Sequence, residues 1–393
     1  MPDFVVRSVE AFAVSLPRDV PYLGPLGPGE SVNAKGYFVR RGNRTIYPST
    51  DMTVVAKVTA SDGTVGWGET YGIVAPRAVT AIIDDVLAPF VVGRDPRDVA
   101  TIWQDLYDLQ RVRGASGGYY GDALAAVDIA LCDLAARVEG ASLSAWLGAK
   151  HGAKHGAEAI PAYVSGLPRA TLPERVELAR NYVAQGFRAV KYAAPAASEG
   201  VVNEMRALRE ALGDGVDLMV DLHWRYDADA ACALIEALAP YAPRFVEAPC
   251  APEDIGGLAA VTARAKLPVA AGEEWRNAYE AGWRLDTAAL AVVQPEIAHT
   301  GVTQFCAIAR LAASRGAAVV PHATIGVGIF MAASLHASAT LPIVPYHEYQ
   351  PSIFDKNLRY VTTAMRCEAG FYRLPEGPGL GVEPTPELWN YVI

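Results

Sequence analysis

The chain has 393 residues, of which half are apolar, and a formal net charge of −9. This length exceeds one typical core and favours a large domain with a smaller one, while the acidic balance without basic runs argues against a nucleic-acid partner. No apolar run reaches the roughly 18 residues of a membrane span and no charged segment precedes an apolar one at the N-terminus, so we expect a cytoplasmic protein without a membrane partner.

The N-terminal part alternates apolar and polar side chains in the manner of β-strands. Strands are predicted over 4–16, 51–60 and 64–69, and Asp62-Gly63 is typical of a tight turn between the last two. We therefore expect a small antiparallel sheet.

A loop rich in glycine and proline, residues 17–50, separates the first two strands and carries no predicted helix or strand. Loops of this length inside compact domains are usually functional or disordered. We expect a lid whose Arg44 and Tyr47 contact the substrate. A mobile surface loop without a role in binding is the alternative.

Helices are predicted next, over 77–113 and 122–138. The second has an apolar stripe at helical spacing, which indicates a core-facing helix that links two domains. We expect a smaller α+β domain over 1–130, completed by 366–393, and a larger domain over 131–365. The strand-like segment Phe371–Leu374 is expected to pack back on the N-terminal sheet.

The larger domain contains a series of apolar runs, each closed by one polar residue. The intervals of 23 to 30 residues between these polar residues match successive βα units. One functional side chain at the end of each strand is how a (β/α)8 barrel builds its active site. Helix N-caps are the alternative explanation. They would account for one or two of the acids, but not for a series of polar residues at regular intervals. The series consists of Lys191, Asp221, Glu247, Glu273, Glu296, His322 and Glu348.

Three consecutive strands of this series end in the carboxylates Asp221, Glu247 and Glu273. Converging carboxylates repel one another unless a cation neutralises them. All-oxygen ligation favours Mg²⁺ over zinc, and the five cysteines show no CxxC spacing that would suggest a zinc site. We therefore predict that these three residues bind Mg²⁺.

Glu296 and His322 end the next two strands and form a second candidate pair. A carboxylate beside a histidine orients the ring and raises its basicity, so His322 is the candidate general base and Glu296 its partner. Lys191, on the same rim, is a candidate to hold the carboxylate of an anionic substrate. Of the histidines that fall outside the series, namely His151, His155, His299, His336 and His347, we expect only His299, three residues after Glu296, to be placed where it could reach the rim.

The whole series resembles the enolase superfamily, in particular its mandelate racemase/muconate lactonizing branch. This resemblance implies an α+β capping domain over a (β/α)7β barrel, a bound Mg²⁺, abstraction of the proton α to a carboxylate, a last-strand acid at Glu348, and a homo-oligomer. The motifs that carry it are Gly186–Lys191, Val220–His223, Val246–Pro249, Ala271–Glu273, Gln294–Glu296, Pro321-His322, Glu348 and Pro378–Gly381.

Two departures from the commonest sequence pattern of the branch narrow the predicted function. The sequence Lys191-Tyr192-Ala193 lacks the second lysine of Lys-x-Lys, so one face of the substrate has no base. His223, two residues after Asp221, resembles the Asp-x-His of the acid-sugar dehydratases and adds a proton donor beside the metal. Tyr192 or a lid tyrosine is an alternative donor.

The sequence therefore predicts a Mg²⁺-dependent dehydratase of a sugar acid, a small anionic substrate that yields a 2-keto-3-deoxy acid. An isomerase of the same superfamily, either a lactone cycloisomerase or a racemase or epimerase, is the alternative. From a different class, a non-catalytic barrel would bind phosphate at Gly326-Val327-Gly328.

Overall fold

A computed structural model describes residues 4–113, 117–151, 159–322 and 326–393. Within these ranges, none of the helices has the length and apolar character needed to cross a membrane. The described residues form a capping domain and a barrel, as the sequence predicted.

The capping domain is built on a three-stranded antiparallel sheet in the order β1-β4-β5. The helix 118–138 packs against β4 and β5, which are buried along nearly their whole length, whereas β1 mixes buried and exposed side chains. The elements are β1 (Val6–Leu16), β2 (Tyr37–Val39), β3 (Ile46–Pro48), β4 (Asp51–Ala60), β5 (Val65–Tyr71), α1 (Pro76–Ile82), α2 (Ala88–Val91), α3 (Val99–Gln110), α4 (Gly118–Val138) and α5 (Leu143–His151).

The barrel has eight parallel strands with seven helices between them, which confirms the (β/α)7β architecture. In chain order its elements are β6 (Ala159–Ser165), α6 (Leu172–Ala184), β7 (Ala189–Ala193), α7 (Val201–Leu212), β8 (Asp217–Asp221), α8 (Ala228–Leu238), β9 (Phe245–Glu247), α9 (Ile255–Arg264), β10 (Val269–Ala271), α10 (Ala278–Thr287), β11 (Val292–Val293), α11 (Ile297–Ser314), β12 (Ala318–Val319), α12 (Ile329–Ser338) and β13 (His347–Tyr349).

The barrel closes because β13 pairs in parallel with β6. Between β12 and β13 the link is a single backbone hydrogen bond, in which the amide of Glu348 donates to the carbonyl of Pro321 at 3.3 Å. Strand β12 is also only two residues long, so this sector of the rim depends on other contacts for its shape.

After the barrel come α13 (Pro351–Asn357), β14 (Val361–Thr363), β15 (Arg366–Glu368), β16 (Phe371–Arg373) and β17 (Val382–Pro384). The expectation that 371–374 packs on the N-terminal sheet is wrong, because β16 pairs with barrel strand β6. The last residues reach that sheet instead: Val392 bridges Val14, and the Trp389 ring packs edge-on against Phe12.

Two other predicted elements differ from the structure. The loop 17–50 was expected to lack structure, but it contains the antiparallel hairpin β2–β3, whose three-residue strands are too short to give a clear pattern. Helix α11 begins five residues before the predicted start at 302 and bends at Gly301, which has a φ of +66°. The expected boundary at 130/131 falls inside α4, and the domain limits stay a prediction.

Candidate active site

All seven residues of the predicted series lie at the carboxyl-terminal end of the barrel. Parallel strands bring these ends to one rim, so side chains distant in sequence become neighbours. Lys191 lies in β7, Asp221 ends β8, Glu247 ends β9, Glu273 follows β10, Glu296 follows β11, His322 follows β12, and Glu348 lies in β13.

Lys191 is buried at the centre of the rim. Its ammonium group donates to both carboxylate oxygens of Glu247 at 2.8 and 2.7 Å and lies 3.1 Å from Glu348. Burial works against the ammonium form, but these two carboxylates outweigh it and raise the pKa of Lys191 well above its usual value. These two carboxylates therefore favour the ammonium form of Lys191.

The three predicted metal ligands are buried side by side. Burial raises the pKa of Glu273 well above its usual value, and the Glu247 and Asp221 carboxylates add to this against the opposing effect of His322. Converging buried carboxylates of this kind are stabilised by a cation, which fits the predicted metal site.

The ligand set fits Mg²⁺ in residue type, although the three carboxylates are not gathered around one point. In the described part of the chain, no three His, Cys, Asp or Glu side chains are arranged to hold a metal. The reason is that Glu247 faces Lys191 with both oxygens and Asp221 faces His223. Among the described residues, one buried oxygen of Gln294 and one of Glu348 lack a hydrogen-bond partner, which fits a rim built to receive further groups.

His322 is held by carboxylates on several sides. Its Nδ1 lies 2.7 Å from Glu296, and its Nε2 lies 3.5 Å from Glu273 and 3.6 Å from Glu348. Burial lowers the pKa of His322, but Glu273, Glu348 and Glu296 outweigh it and raise the pKa well above the usual value. A base must be unprotonated to act, so the charge of Glu273 has to be offset before His322 can accept a proton.

Glu296 is itself fixed by the capping domain. The hydroxyl of Tyr71, at the end of β5, donates to the same Glu296 oxygen that faces His322, at 2.9 Å. The amide of Ala298 donates to the other oxygen at 2.9 Å. The contacts that orient His322 thus begin in the capping sheet, and sequence reasoning missed Tyr71 because its partner is 225 residues away.

His223 lies on the other side of the rim. Its Nε2 is 2.7 Å from Asp221, and its backbone has a φ of +50°, which is uncommon for a residue with a side chain. The amide group of Asn43, in the turn between β2 and β3, approaches Nδ1 of His223 at 3.4 Å.

The hairpin β2–β3 therefore approaches the rim through Asn43 and, of the two residues expected there, through Tyr47 but not through Arg44. The hydroxyl of Tyr47 accepts from the amide of Asn43 at 3.0 Å, and burial, with Asp221 and Glu273 nearby, raises the pKa of Tyr47 to about 12. Arg44 is exposed in the hairpin turn with a φ of +58°. Tyr47 faces the carboxylates, whereas Arg44 faces solvent.

His299 does not join the rim. Its Nδ1 lies 2.6 Å from Asp122 of α4, and its ring stacks against Tyr71 at 4.5 Å. Burial, together with Arg276, lowers its pKa. These contacts tie α11 to the capping domain behind Glu296.

A cavity of about 680 Å³ lies beside the rim, between the lid segment 18–24, the loop 165–169 and α13. Ser165, at the end of β6, forms part of its wall. Several charged groups of the wall are paired: Arg18 with Asp51, Lys356 with Asp19, and Arg175 with Glu204. The volume is that of a small-molecule site, and it lies next to the metal carboxylates without including them.

The phosphate site considered at Gly326-Val327-Gly328 is already filled. The carboxylate of Glu69, from β5, accepts from the backbone amides of Val327 at 2.6 Å, Ile329 at 3.0 Å and Phe330 at 3.1 Å. These amides at the start of α12 are the ones that a phosphate would use. The non-catalytic phosphate-binding alternative is therefore wrong.

Comparison with protein families covers both domains. Residues 174–388 match the model described as "Enolase C-terminal domain-like", and residues 45–148 match "Mandelate racemase / muconate lactonizing enzyme, N-terminal domain". The barrel and its rim thus define a member of the enolase superfamily. More narrowly, the chain belongs to the mandelate racemase/muconate lactonizing enzyme branch.

Two relatives have named activities. The chain is 31% identical to D-galactarolactone cycloisomerase of Agrobacterium fabrum over 344 residues, which cover 84% of this chain and 88% of the relative. It is also 31% identical to D-galactonate dehydratase of Ralstonia nicotianae over 360 residues, with 86% and 90% covered. The two activities differ although the identities are equal.

Solved structures agree with the fold over nearly the whole chain. A member of the enolase superfamily from Agrobacterium tumefaciens is 48% identical with a TM-score of 0.95 and 99% of both chains covered. A racemase from Streptomyces coelicolor A3(2), solved with bound magnesium, is 25% identical with a TM-score of 0.83, covering 99% of this chain and 100% of that one.

Proposed function

We propose that this protein is a Mg²⁺-dependent dehydratase of a sugar acid, which removes the α-proton and eliminates the β-hydroxyl to give a 2-keto-3-deoxy acid. The observation that carries the proposal is the pair of histidines on opposite sides of the carboxylates, His322 after β12 and His223 after β8. An elimination needs one group to take a proton and another to give one, and two separately held histidines supply both. The relatives that act on galactonate and galactarolactone support an acid sugar as substrate.

In this proposal Asp221, Glu247 and Glu273 hold Mg²⁺. The ion, when bound, supplies positive charge to the substrate carboxylate, where negative charge develops as the α-proton leaves. Lys191 adds a second fixed charge at the same carboxylate, because its ammonium group lies among the carboxyl groups of the rim and stays protonated. Glu348 fixes Lys191 from the far side.

The proton transfers are assigned to the two histidines. His322 takes the α-proton through Nε2, and Glu296 at Nδ1 stabilises the imidazolium that results. His223, as an imidazolium ion protonated on both ring nitrogens, gives the proton on Nε2 to the departing β-hydroxyl, which leaves as water, and the ring becomes neutral. Tyr47 keeps its phenolic proton, since its pKa is about 12, and donates a hydrogen bond to the substrate from above.

The second candidate is a cycloisomerase, which the relative named D-galactarolactone cycloisomerase favours. It also manages with one base, and it differs from a dehydratase in forming no net water. A racemase or epimerase needs a base on each face of the α-carbon. Ala193 stands where a second lysine would supply the other base, so this candidate has less support.

The test is a screen of aldonates, aldarates and their lactones with Mg²⁺ in deuterated water. A 2-keto-3-deoxy product with one solvent deuterium at C3 is the expected result. Ring opening or closure without loss of water would replace the dehydratase with the cycloisomerase. Inversion at the α-carbon would instead establish a racemase with a second base.

A further inference from the structure

Gln294 is a buried rim residue that the series of strand-end residues did not include. A layer of packed side chains fills the barrel interior below the rim, and alternate residues of a strand point to the same side of a sheet. Two residues beyond each member of this layer are therefore the positions that face the interior at the rim. The layer consists of Tyr163, Ala189, Met219, Phe245, Ala270, Val292, Val320 and Tyr346.

This register leads from Ala189 to Lys191, from Met219 to Asp221, and from Phe245 to Glu247. On β11 it leads from Val292 to Gln294, and Glu296 comes two residues later. Gln294 thus belongs to the same ring of side chains as the candidate metal ligands.

The side-chain amide of Gln294 donates to the carboxylate of Glu247. Its Nε2 lies 2.8 Å from Oε2 of Glu247, and the whole side chain is buried. The opposite orientation of the amide would place two acceptor oxygens against each other, so the amide group must face the carboxylate with its donor. The backbone amide of Gln294 also donates to the carbonyl of Ala271 at 3.0 Å, which fixes the start of this contact on the neighbouring strand.

The two oxygens of Glu247 are held unequally. Oε2 accepts from Gln294 and from the ammonium group of Lys191, at 2.8 and 2.7 Å. In the part of the chain that the structure describes, Oε1 accepts from Lys191 alone, at 2.8 Å. Lys191 has a further partner in Glu348 at 3.1 Å. Oε1 can therefore turn away from Lys191 while Oε2 keeps both of its donors.

Packing alone does not account for an amide at this position. A buried amide with one group unmet is less favourable than an apolar side chain of similar size, and Oε1 of Gln294 has no hydrogen-bond partner among the described residues. The preceding interior position of the same strand, Val292, is apolar. The contact with Glu247 is therefore the feature that distinguishes a glutamine here from an apolar residue.

We propose that Gln294 is a positioning residue for the metal site: it anchors Glu247 through Oε2 and leaves Oε1 as the oxygen available to Mg²⁺. Groups that hold a ligating carboxylate from behind commonly raise metal affinity about 10- to 100-fold, because they fix its orientation. The inference rests on the proposed function through the assignment of Glu247 as a ligand. It gives Gln294 no contact with the substrate.

The main test is Gln294→Met, titrated with Mg²⁺ by calorimetry in the absence of substrate. Methionine has a similar length and removes the hydrogen bond. We expect the Kd for Mg²⁺ to rise about 10- to 100-fold, and the Mg²⁺-dependent rise in melting temperature to require correspondingly more Mg²⁺. With an active acid, the half-saturating Mg²⁺ concentration should rise in the same way, whereas kcat at saturating Mg²⁺ should change less.

Gln304→Met is the matched control. Gln304 is also buried, and its Oε1 accepts from the backbone amide of Ala278 at 3.0 Å, so this change also removes one buried hydrogen bond from a glutamine. Its contact lies between α11 and the start of α10 and does not involve a candidate ligand. We expect a lower melting temperature without metal and a wild-type Kd for Mg²⁺. A purely structural role of Gln294 would give this same result in Gln294→Met.

A crystal structure with Mg²⁺ bound tests which oxygen is anchored. Oε2 of Glu247 should still accept from Gln294, with the ion on Oε1, and an ion on Oε2 would overturn the proposal. If Gln294→Met does not fold, Gln294→Asn keeps the amide but shortens the side chain by one methylene, and should weaken Mg²⁺ binding in the same direction.

The outcomes separate this inference from the proposed function. Wild-type Mg²⁺ affinity in a folded Gln294 variant would overturn the positioning role alone. A wild-type protein that binds Mg²⁺ but dehydrates no acid in the screen would overturn the dehydratase alone. A wild-type protein that binds no Mg²⁺ would overturn both.

Discussion

The two histidines of the rim have nearly equal exposure, 16% for the His322 side chain and 13% for that of His223, yet they are held differently. His322 lies among Glu296, Glu273 and Glu348, and Glu296 is fixed in turn by Tyr71. His223 lies on a strained backbone between Asp221 and Asn43 of the hairpin. The proposed base therefore lies at the domain interface, whereas the proposed acid is contacted by the hairpin β2–β3.

This difference suggests that the two histidines carry out different proton transfers. Removal of an α-proton is the demanding step, because the carbon acid is weak, and it needs a base of fixed geometry. Protonation of a leaving hydroxyl tolerates a group that is completed when the lid covers the substrate. The predictions below test the two sides against each other.

The largest effect is expected for Glu247→Gln, because this change should affect both proposed proton transfers at once. Loss of a ligand charge should abolish Mg²⁺ binding and cost several kcal/mol of transition-state stabilisation, on the order of 10³- to 10⁴-fold in kcat. Elimination and α-hydrogen exchange should disappear together, along with the rise in melting temperature on adding Mg²⁺. Full activity in this variant would show that the ligand assignment is wrong.

His322→Asn and His223→Asn should separate the two steps. Each is expected to lower turnover by about 10²- to 10³-fold, as removal of a general acid or base does. His322→Asn should lose both elimination and exchange of the α-hydrogen with deuterium. His223→Asn should lose elimination but still exchange, because His322 can remove and return the proton on one face. The reverse pattern would exchange the two roles.

The lid variants should affect only the acid side and the choice of substrate. Asn43→Ala and Tyr47→Ala are expected to lower kcat/KM about tenfold, since each removes about one hydrogen bond at the rim, whereas Arg44→Ala should have little effect because its side chain faces solvent. The affinity for Mg²⁺ and the exchange rate should change less. Arg41→Ala, exposed in the same hairpin, is the control. Kinetics that stay at wild-type values with every active acid would refute the role of the lid.

The smallest effect on turnover is expected for substitution of His336. Its side chain is buried, and the structure as described gives it no carboxylate partner. Burial lowers its pKa to about 4, whereas the unfolded value is about 6.5. Its contribution to stability is therefore complete above pH 6.5 and is lost as the pH falls towards 4, by about 3 kcal/mol. In urea unfolding, His336→Gln should reduce the loss of stability between pH 7 and pH 4.5. Parallel curves for the variant and the wild type would contradict this.

The rim residues could be predicted from the sequence because the βα units of the barrel recur at regular intervals. Asp221, Glu247 and Glu273 each follow a short apolar run at a regular interval, so the pattern marks both the strand and its functional end. The same logic located His322 and Glu296, which the structure places 2.7 Å apart. These features depend on local pattern and fold geometry.

The capping contacts were not predictable in the same way. Asn43, Glu69 and Tyr71 contact barrel residues that are 180, 258 and 225 positions away in the sequence. No local sequence pattern indicates such distant partners. The hairpin β2–β3 was missed because three-residue strands do not establish an alternation. The β16 pairing was assigned to the wrong sheet because an edge strand carries no information about its partner.

The C-terminal residues pack against the first strand, and this has a consequence for how the protein is made. Trp67 donates to Glu383, 316 residues later, and Val392 bridges Val14. The edge of the capping sheet at β1 is therefore completed only after residue 392 has been translated. Removal of residues 382–393 should leave a folded barrel with a poorly seated capping sheet.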